Sequence, residues 1–311
     1  MKRFLDANII ANTNKMTKEE WLKLRKKGIG GSDAGAILGV NQYKSSLSIY
    51  LDKTSEDIND DENFRMKVGN KLKKFVAKEF TNVTGKKVRA INKMLVSDEY
   101  PFAIANIDRK IVGEKSFLLC KVTNSFSKKD WNNNIPKNYE VQCQHYMGVT
   151  GATHCYIAVL IGNEELVIHN IVRDDIYIDN LMKLEKEFWE NNVLGDVIPL
   201  PDGSSEYSNY LKEKYKDTKY ESVNLFISDE KIQKHDDINK NIKKLEIEKK
   251  TIEQEIQSEM GEYEIAYIGD RKITWKTQTK NIIDTKLFKK DYPDIASKYS
   301  KESVSRVFKI N

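Results

Sequence analysis

The chain has 311 residues, 39% of them hydrophobic and 32% charged, with a mean hydropathy of −0.62, so it is long enough to bury a substantial core. Fifteen glycines and five prolines exclude a collagen-like or low-complexity chain, and no apolar run approaches the length of a membrane span. The net charge of +5, from 52 basic and 47 acidic residues, accommodates a polyanionic partner and excludes an acidic mimic of DNA.

The opening MKRFLDANIIANTNK has neither a sustained apolar segment nor a small-residue cleavage site, so a cytoplasmic protein is expected. Cys120, Cys143 and Cys155 are odd in number and lack CxxC spacing, which reads as reduced, buried thiols. Residues 17–27 predict a helix, with Thr17 as N-cap and Glu20 three residues on. GIGGSDAGAILG follows as a tight backbone excursion into a second helix that Ser32 or Asp33 can cap. Further helices are expected over 45–53 and from about Arg65 to Thr84, the latter stopped by Gly85. The acidic stretch SEDINDDEN between them is a solvated loop.

Five strands are expected next: KKVRAINKMLV, FAIANIDRKIV, SFLLCKVTN, ATHCYIAVLIG and ELVIHNIV. Helices at 137–148 and 173–192 complete an α/β or α+β domain with a mixed central sheet. The turn-rich PLPDGSSEYS, from about 199, divides the chain into domains 1–200 and 201–311. The second is expected to hold a long helix at about 230–260, a hairpin bent at Gly269-Asp270, and a last strand in RVFKI.

Chemistry concentrates where the strand ending Asn106-Ile107-Asp108 meets the strand carrying Leu119-Cys120-Lys121. An acid beside a lysine on neighbouring strands suits metal-assisted phosphodiester hydrolysis: carboxylates hold Mg²⁺ and the lysine positions or activates water. In SFSKKDWNNN, Phe126, Lys128, Lys129 and Trp131 either line a nucleic-acid groove or form a loop that Trp131 anchors on the core.

Five motifs in order, RKKGIGGSDAGAILG, the helix at 69–80 leading to TGKKV, IANIDRKIVGE, the LCK strand and YEVQCQHYMGVTG, resemble the YqaJ family. That family groups phage recombination exonucleases related to lambda exonuclease, and the resemblance spans roughly residues 20–200. It implies a restriction-endonuclease-like core of the PD-(D/E)XK type, acting in a bacterial host cell. Asp108 falls on the family's metal-binding aspartate and Lys121 on its catalytic lysine. Gln142, Gln144 and Tyr146 fall on a helical motif that supports the site, and Arg25 and Ser32 on positions that contact a terminal DNA phosphate.

Two acids of the pattern are missing. The glutamate two residues before the lysine is Leu119, and the glutamate of the preceding helix is Lys73; the residue after the lysine, commonly threonine, is Val122. Asp108 alone is a poor Mg²⁺ site. A lysine ~4 Å from a divalent ion, at an effective dielectric of ~20, repels it by on the order of 8 kcal/mol before screening. The expectation is a catalytically degenerate nuclease fold without a cofactor, in which Lys73, Lys74 and Lys121 join Arg25 and Ser32 in holding phosphate. It would bind DNA, a host nucleic-acid-processing complex such as a defence system, or both, with homo-oligomerisation open. The alternative is an active Mg²⁺-dependent exonuclease in which Glu79, Glu114 or Glu140 supplies a relocated carboxylate.

Overall fold

The computed structural model describes residues 3–58, 62–132, 134–302 and 305–310. Residues 59–61 of the acidic stretch lie outside the described residues. The chain forms two compact units, Met1–Tyr215 and Lys216–Asn311.

The first unit is a mixed α/β structure built on two five-stranded sheets. Sheet 1 runs β1 (Arg3–Phe4), β2 (Ala7–Asn12), β5 (Lys93–Val96), β6 (Ala103–Ala105), β3 (Ile29–Gly30). Sheet 2 runs β10 (Glu165–Val172), β9 (His154–Ile161), β8 (Ser116–Thr123), β7 (Arg109–Ile111), β4 (Val88–Ala90). β8 and β9 pair parallel from Ser116↔His154 to Thr123↔Ile161, and β3 pairs parallel with β6.

The segments 86–96 and 102–112, expected as one strand each, are both broken. Together they make a long hairpin folded at its middle. Its tip, β5–β6, belongs to sheet 1, and its base, β4–β7, to sheet 2. Asn92, at φ 48°, turns the first arm; residues 106–108 turn the second. Alternation of apolar residues persists through such a bend, so the break leaves no mark on periodicity. The short strands β1 and β2 at the N-terminus were not among the expected elements.

Helices flank the sheets. α1 (Lys18–Arg25) begins with the expected capping box, the Thr17 hydroxyl accepting from the Glu20 amide at 3.2 Å and Glu20 accepting from the Thr17 amide at 2.8 Å. α2 (Gly31–Ile37) starts differently from expectation: Gly30 is the N-cap residue, and Asp33, inside the first turn, accepts the Gly30 amide at 3.0 Å. α3 (Ser46–Thr54) and α4 (Phe64–Thr84) follow, and Gly85 ends α4 in the left-handed conformation at φ 72°. After the short α5 (Lys128–Asn132), α6 (Lys137–Thr150) and α7 (Asp175–Glu187) pack together, α7 running on into a π-helical stretch, Phe188–Leu194.

Strand β8 sets the layering, because successive side chains point to opposite faces. Leu118 and Cys120 pack with Val76, Ala77 and Phe80 of α4; Phe117 and Leu119 join Cys143, Tyr146 and Met147 of α6 in the main core. The turn-rich segment from 199 does not end the unit. α8 (Ser205–Lys214) is tied to α3 by Glu206, whose carboxylate accepts from the Ser45 amide at 2.9 Å and hydroxyl at 2.6 Å.

The second unit holds α9 (Asp229–Met260), the hairpin β11 (Ile265–Ile268) and β12 (Arg271–Thr274), then α10 (Thr285–Asp291) and α11 (Pro293–Tyr299). Gly269 turns the hairpin at φ 56°. The RVFKI segment, expected as a strand, is not one among the described residues: β11 and β12 form a two-stranded sheet without it.

Candidate functional site

Asp108 closes the bend between β6 and β7 and faces β8, where β7 pairs antiparallel through Arg109↔Leu118. One carboxylate oxygen, Oδ2, accepts the Cys120 amide at 2.9 Å. The other, Oδ1, lies 2.9 Å from Nζ of Lys73, which reaches it from α4. Both oxygens therefore have partners, one of them the cation of Lys73.

Lys121 lies one residue beyond Cys120 on the face of β8 toward α6. Its Nζ donates to Gln142 Oε1 at 2.7 Å and sits 4.8 Å from the centre of the Tyr139 ring. Gln142 Nε2 in turn donates to the Tyr146 hydroxyl at 3.3 Å, so lysine, amide and phenol form a chain along α6. Burial pulls the Lys121 pKa below its ordinary value; Asp108 opposes that shift and Lys73 adds to it. Burial also pushes the Cys120 thiol up to about 12, with Asp108 adding to the shift, so this thiol stays protonated and unreactive.

A second ionic cluster lies at the start of α2. Arg25 donates to Ser32 Oγ at 3.0 Å and forms an ion pair with Asp33 Oδ1. Lys53 of α3, its side chain fully buried, holds Asp33 Oδ2 at 2.8 Å. Burial alone would raise the Asp33 pKa. Arg25, Lys53 and the Gly30 amide outweigh it and hold the carboxyl far below the usual range. Gly31 joins this cluster to the Lys121 chain: a Cβ there would come within 2.7 Å of the Tyr146 ring, so only glycine lets α2 approach α6 this closely.

The residues expected from sequence thus separate. Asp108, Lys73, Lys121, Gln142 and Tyr146 meet at β8, and Arg25 meets Ser32 beside them. Gln144 does not join them: its amide donates to the Val172 carbonyl at 2.9 Å and accepts the Asp174 amide at 3.1 Å, bracing the junction of β10 and α7. Lys74 is exposed, a helical step of about 100° away from Lys73. Trp131 is buried, its ring 4.9 Å from that of Tyr139, while Phe126 is 94% exposed, so the intervening loop is anchored on the core. Tyr139, Lys53 and Asp33 were not singled out as site residues. Neither a lysine near a helix end nor a tyrosine in an amphipathic helix carries a signal until tertiary packing places it.

The Mg²⁺ that the family resemblance implies does not fit this donor set. Asp108 is taken by Lys73 and a backbone amide, and Leu119 is 2% exposed within the apolar core. The relocated carboxylates are engaged elsewhere. Glu114 pairs with Lys86 at 2.6 Å and accepts from Ser116 at 3.0 Å, at the far end of β8, five residues or about 16 Å from Lys121. Glu140 pairs with Lys137 at 2.9 Å, and Glu79 accepts from Asn82 at 3.0 Å. Among the described residues, no three His, Cys, Asp or Glu side chains converge as a metal site would require.

Asp108 and the Lys121 strand thus meet within a mixed α/β fold. The chain belongs to the YqaJ family. Residues 20–153 match the YqaJ-like viral recombinase domain, and the Bacillus subtilis (strain 168) protein YqaJ, described as uncharacterized, is 41% identical over 310 residues, 98% of this chain and 97% of that one. Among solved structures, the alkaline exonuclease LHK-Exo of Laribacter hongkongensis is 16% identical with a TM-score of 0.47, covering 64% of this chain and 98% of its own. A phage-related exonuclease from Haemophilus somnus 129PT is 12% identical with a TM-score of 0.45, covering 57% and 100%. Similarity this distant bears on neither substrate nor mechanism.

Proposed function

We propose that this chain is a DNA-binding member of its family that has exchanged metal-dependent cleavage for phosphate binding. The observation that carries this reading is the 2.9 Å separation of Lys73 Nζ and Asp108 Oδ1, an ion pair in which an ammonium group does for the aspartate what a divalent cation would do in a nuclease. Arg25, Lys53, Lys73 and Lys121 outnumber the carboxylates they face, Asp33, Asp52 and Asp108. Such an excess attracts phosphate rather than metal. In a cell this activity would serve recombination, or occupy DNA or a host complex that acts on DNA, such as a defence system, without degrading the strand.

The test is digestion of linear duplex DNA with Mg²⁺ or Mn²⁺ at enzyme excess. No degradation is expected from the native chain. The paired change Lys73→Glu and Leu119→Glu is expected to introduce metal-dependent cleavage where each single change gives little, because metal ligands act as a unit. Digestion by the native chain that disappears in Asp108→Asn overturns the proposal and favours an active Mg²⁺-dependent exonuclease.

A further inference from the structure

Helix α4 carries a second feature on the side away from Lys73. Between Phe64 and Thr84 it holds six basic residues, Arg65, Lys67, Lys71, Lys73, Lys74 and Lys78, against one acid, Glu79. That surplus equals the net charge of +5 of the whole chain, so the remainder of the protein is neutral overall. The charge is also sorted by face. Lys67, Lys71, Lys74 and Lys78 follow one another at steps of four, three and four residues, which aligns them in one ridge about 16 Å long. All four are exposed, and among the described residues none forms an ion pair.

Such a ridge has no structural return. Lysines four residues apart on one helix face repel and destabilise the helix. The other long helix shows how a solvated face is normally built: on α9, Lys240 pairs with Asp237 at 3.4 Å and Lys249 with Glu253 at 3.4 Å. The inner face of α4 is fixed in the core by Val76, Ala77 and Phe80, so the lysines cannot turn away from one another by rotating the helix.

Two aromatic side chains lie on the same outer arc. Phe64, 80% exposed, and Phe75, 48% exposed, are eleven residues apart, three turns plus about 20°. Lysines that grip phosphates, interleaved with exposed rings that stack on bases, are the combination used to bind single strands. A duplex offers no unstacked base faces to Phe64 and Phe75. We infer that the outer face of α4 is a binding site for single-stranded nucleic acid, separate from the cluster at Asp108 and independent of whether that cluster cleaves.

The experiment uses the full-length chain and a fluorescently labelled oligo-dT of about 16 nucleotides, long enough to cover the whole ridge, with affinity measured by anisotropy over a salt series. Changing the four ridge lysines to glutamine is expected to make the slope of log affinity against log salt shallower by roughly 2.8, about 0.7 for each phosphate no longer neutralised. Phe64→Ala with Phe75→Ala is expected to weaken binding at least ~10-fold while leaving the slope unchanged. Lys240→Gln with Lys249→Gln on α9 controls for the removal of surface charge elsewhere and is expected to leave oligo-dT binding in place. The inference is overturned if the ridge variant keeps native affinity and slope, or if the α9 changes weaken binding and flatten the slope as much as the ridge changes do. It is also overturned if the ridge governs binding to phosphatidylserine vesicles and not to oligo-dT. All substituted α4 positions are exposed, and unchanged far-ultraviolet circular dichroism verifies folding.

Discussion

Asp33 and Asp108 are held in the same way and serve different ends. Each accepts a backbone amide, Gly30 or Cys120, and each pairs with a lysine that a neighbouring helix supplies, Lys53 or Lys73. Asp33 is 1% exposed, has Arg25 as a second cation, and faces a Lys53 side chain with no exposure. Asp108 and Lys73 keep 14% and 37% of their side-chain surface. A buried carboxylate with two cations is a structural keystone that cannot lose a member without stranding the others. A carboxylate near the surface with one half-exposed lysine is a site whose occupant can be exchanged.

The largest effect is expected at the buried cluster. Asp33→Ala leaves Arg25 and Lys53 without their shared counter-ion and should cost about 3–5 kcal/mol in urea unfolding at neutral pH. Because the folded-state pKa of Asp33 is depressed, its contribution is present above the unfolded carboxylate range near pH 4 and lost as pH falls toward the folded value. Native stability should therefore fall on acidification, and Asp33→Ala should flatten that fall. An unchanged acid limb in the variant would place the responsible carboxylate elsewhere.

An intermediate effect is expected at His145 and Glu185, which form a fully buried pair at 2.8 Å between α6 and α7. His145 Nε2 also meets the Ile104 carbonyl at 3.0 Å, while Glu185 Oε2 has no partner among the described residues. Burial lowers the His145 pKa, but attraction and hydrogen bonding to Glu185 overcome it and raise the net value. A raised histidine stabilises fully below its unfolded pKa of about 6.5, and that contribution is lost as pH rises through the folded value. His145→Gln should remove this alkaline loss, which sets in as pH rises above the unfolded value of about 6.5 toward the raised folded one, measured by thermal unfolding. An identical slope in both proteins would contradict the assignment.

The smallest effect is expected at Asp108. Asp108→Asn breaks a partly exposed ion pair while an amide oxygen can still accept from Cys120, so the loss should be within about 1 kcal/mol. A cost near that of Asp33→Ala would erase the distinction drawn between the two carboxylates.

Much of this was legible from residue order. The caps at Thr17 and Gly85, the helices, and the pairing of Asp108 with the Lys121 strand follow from local chemistry. The fold of the long hairpin at Asn92 and at residues 106–108 was not legible, because alternation reports which face a residue occupies and not which sheet it joins. Nor was the Asp33–Lys53 pair, twenty residues apart on different helices. Gln142 and Gln144, expected together as supports of the site, part company in the structure, since residues two apart on a helix point in widely different directions.

Replacement of a metal by Lys73 at Asp108 is tested most directly by calorimetric titration of Mn²⁺ into the native chain, with the Lys73→Glu, Leu119→Glu variant alongside. Saturable binding is expected in the variant alone, and its loss on adding Asp108→Asn would locate the ion. Saturable Mn²⁺ binding by the native chain, abolished by Asp108→Asn, would contradict the account.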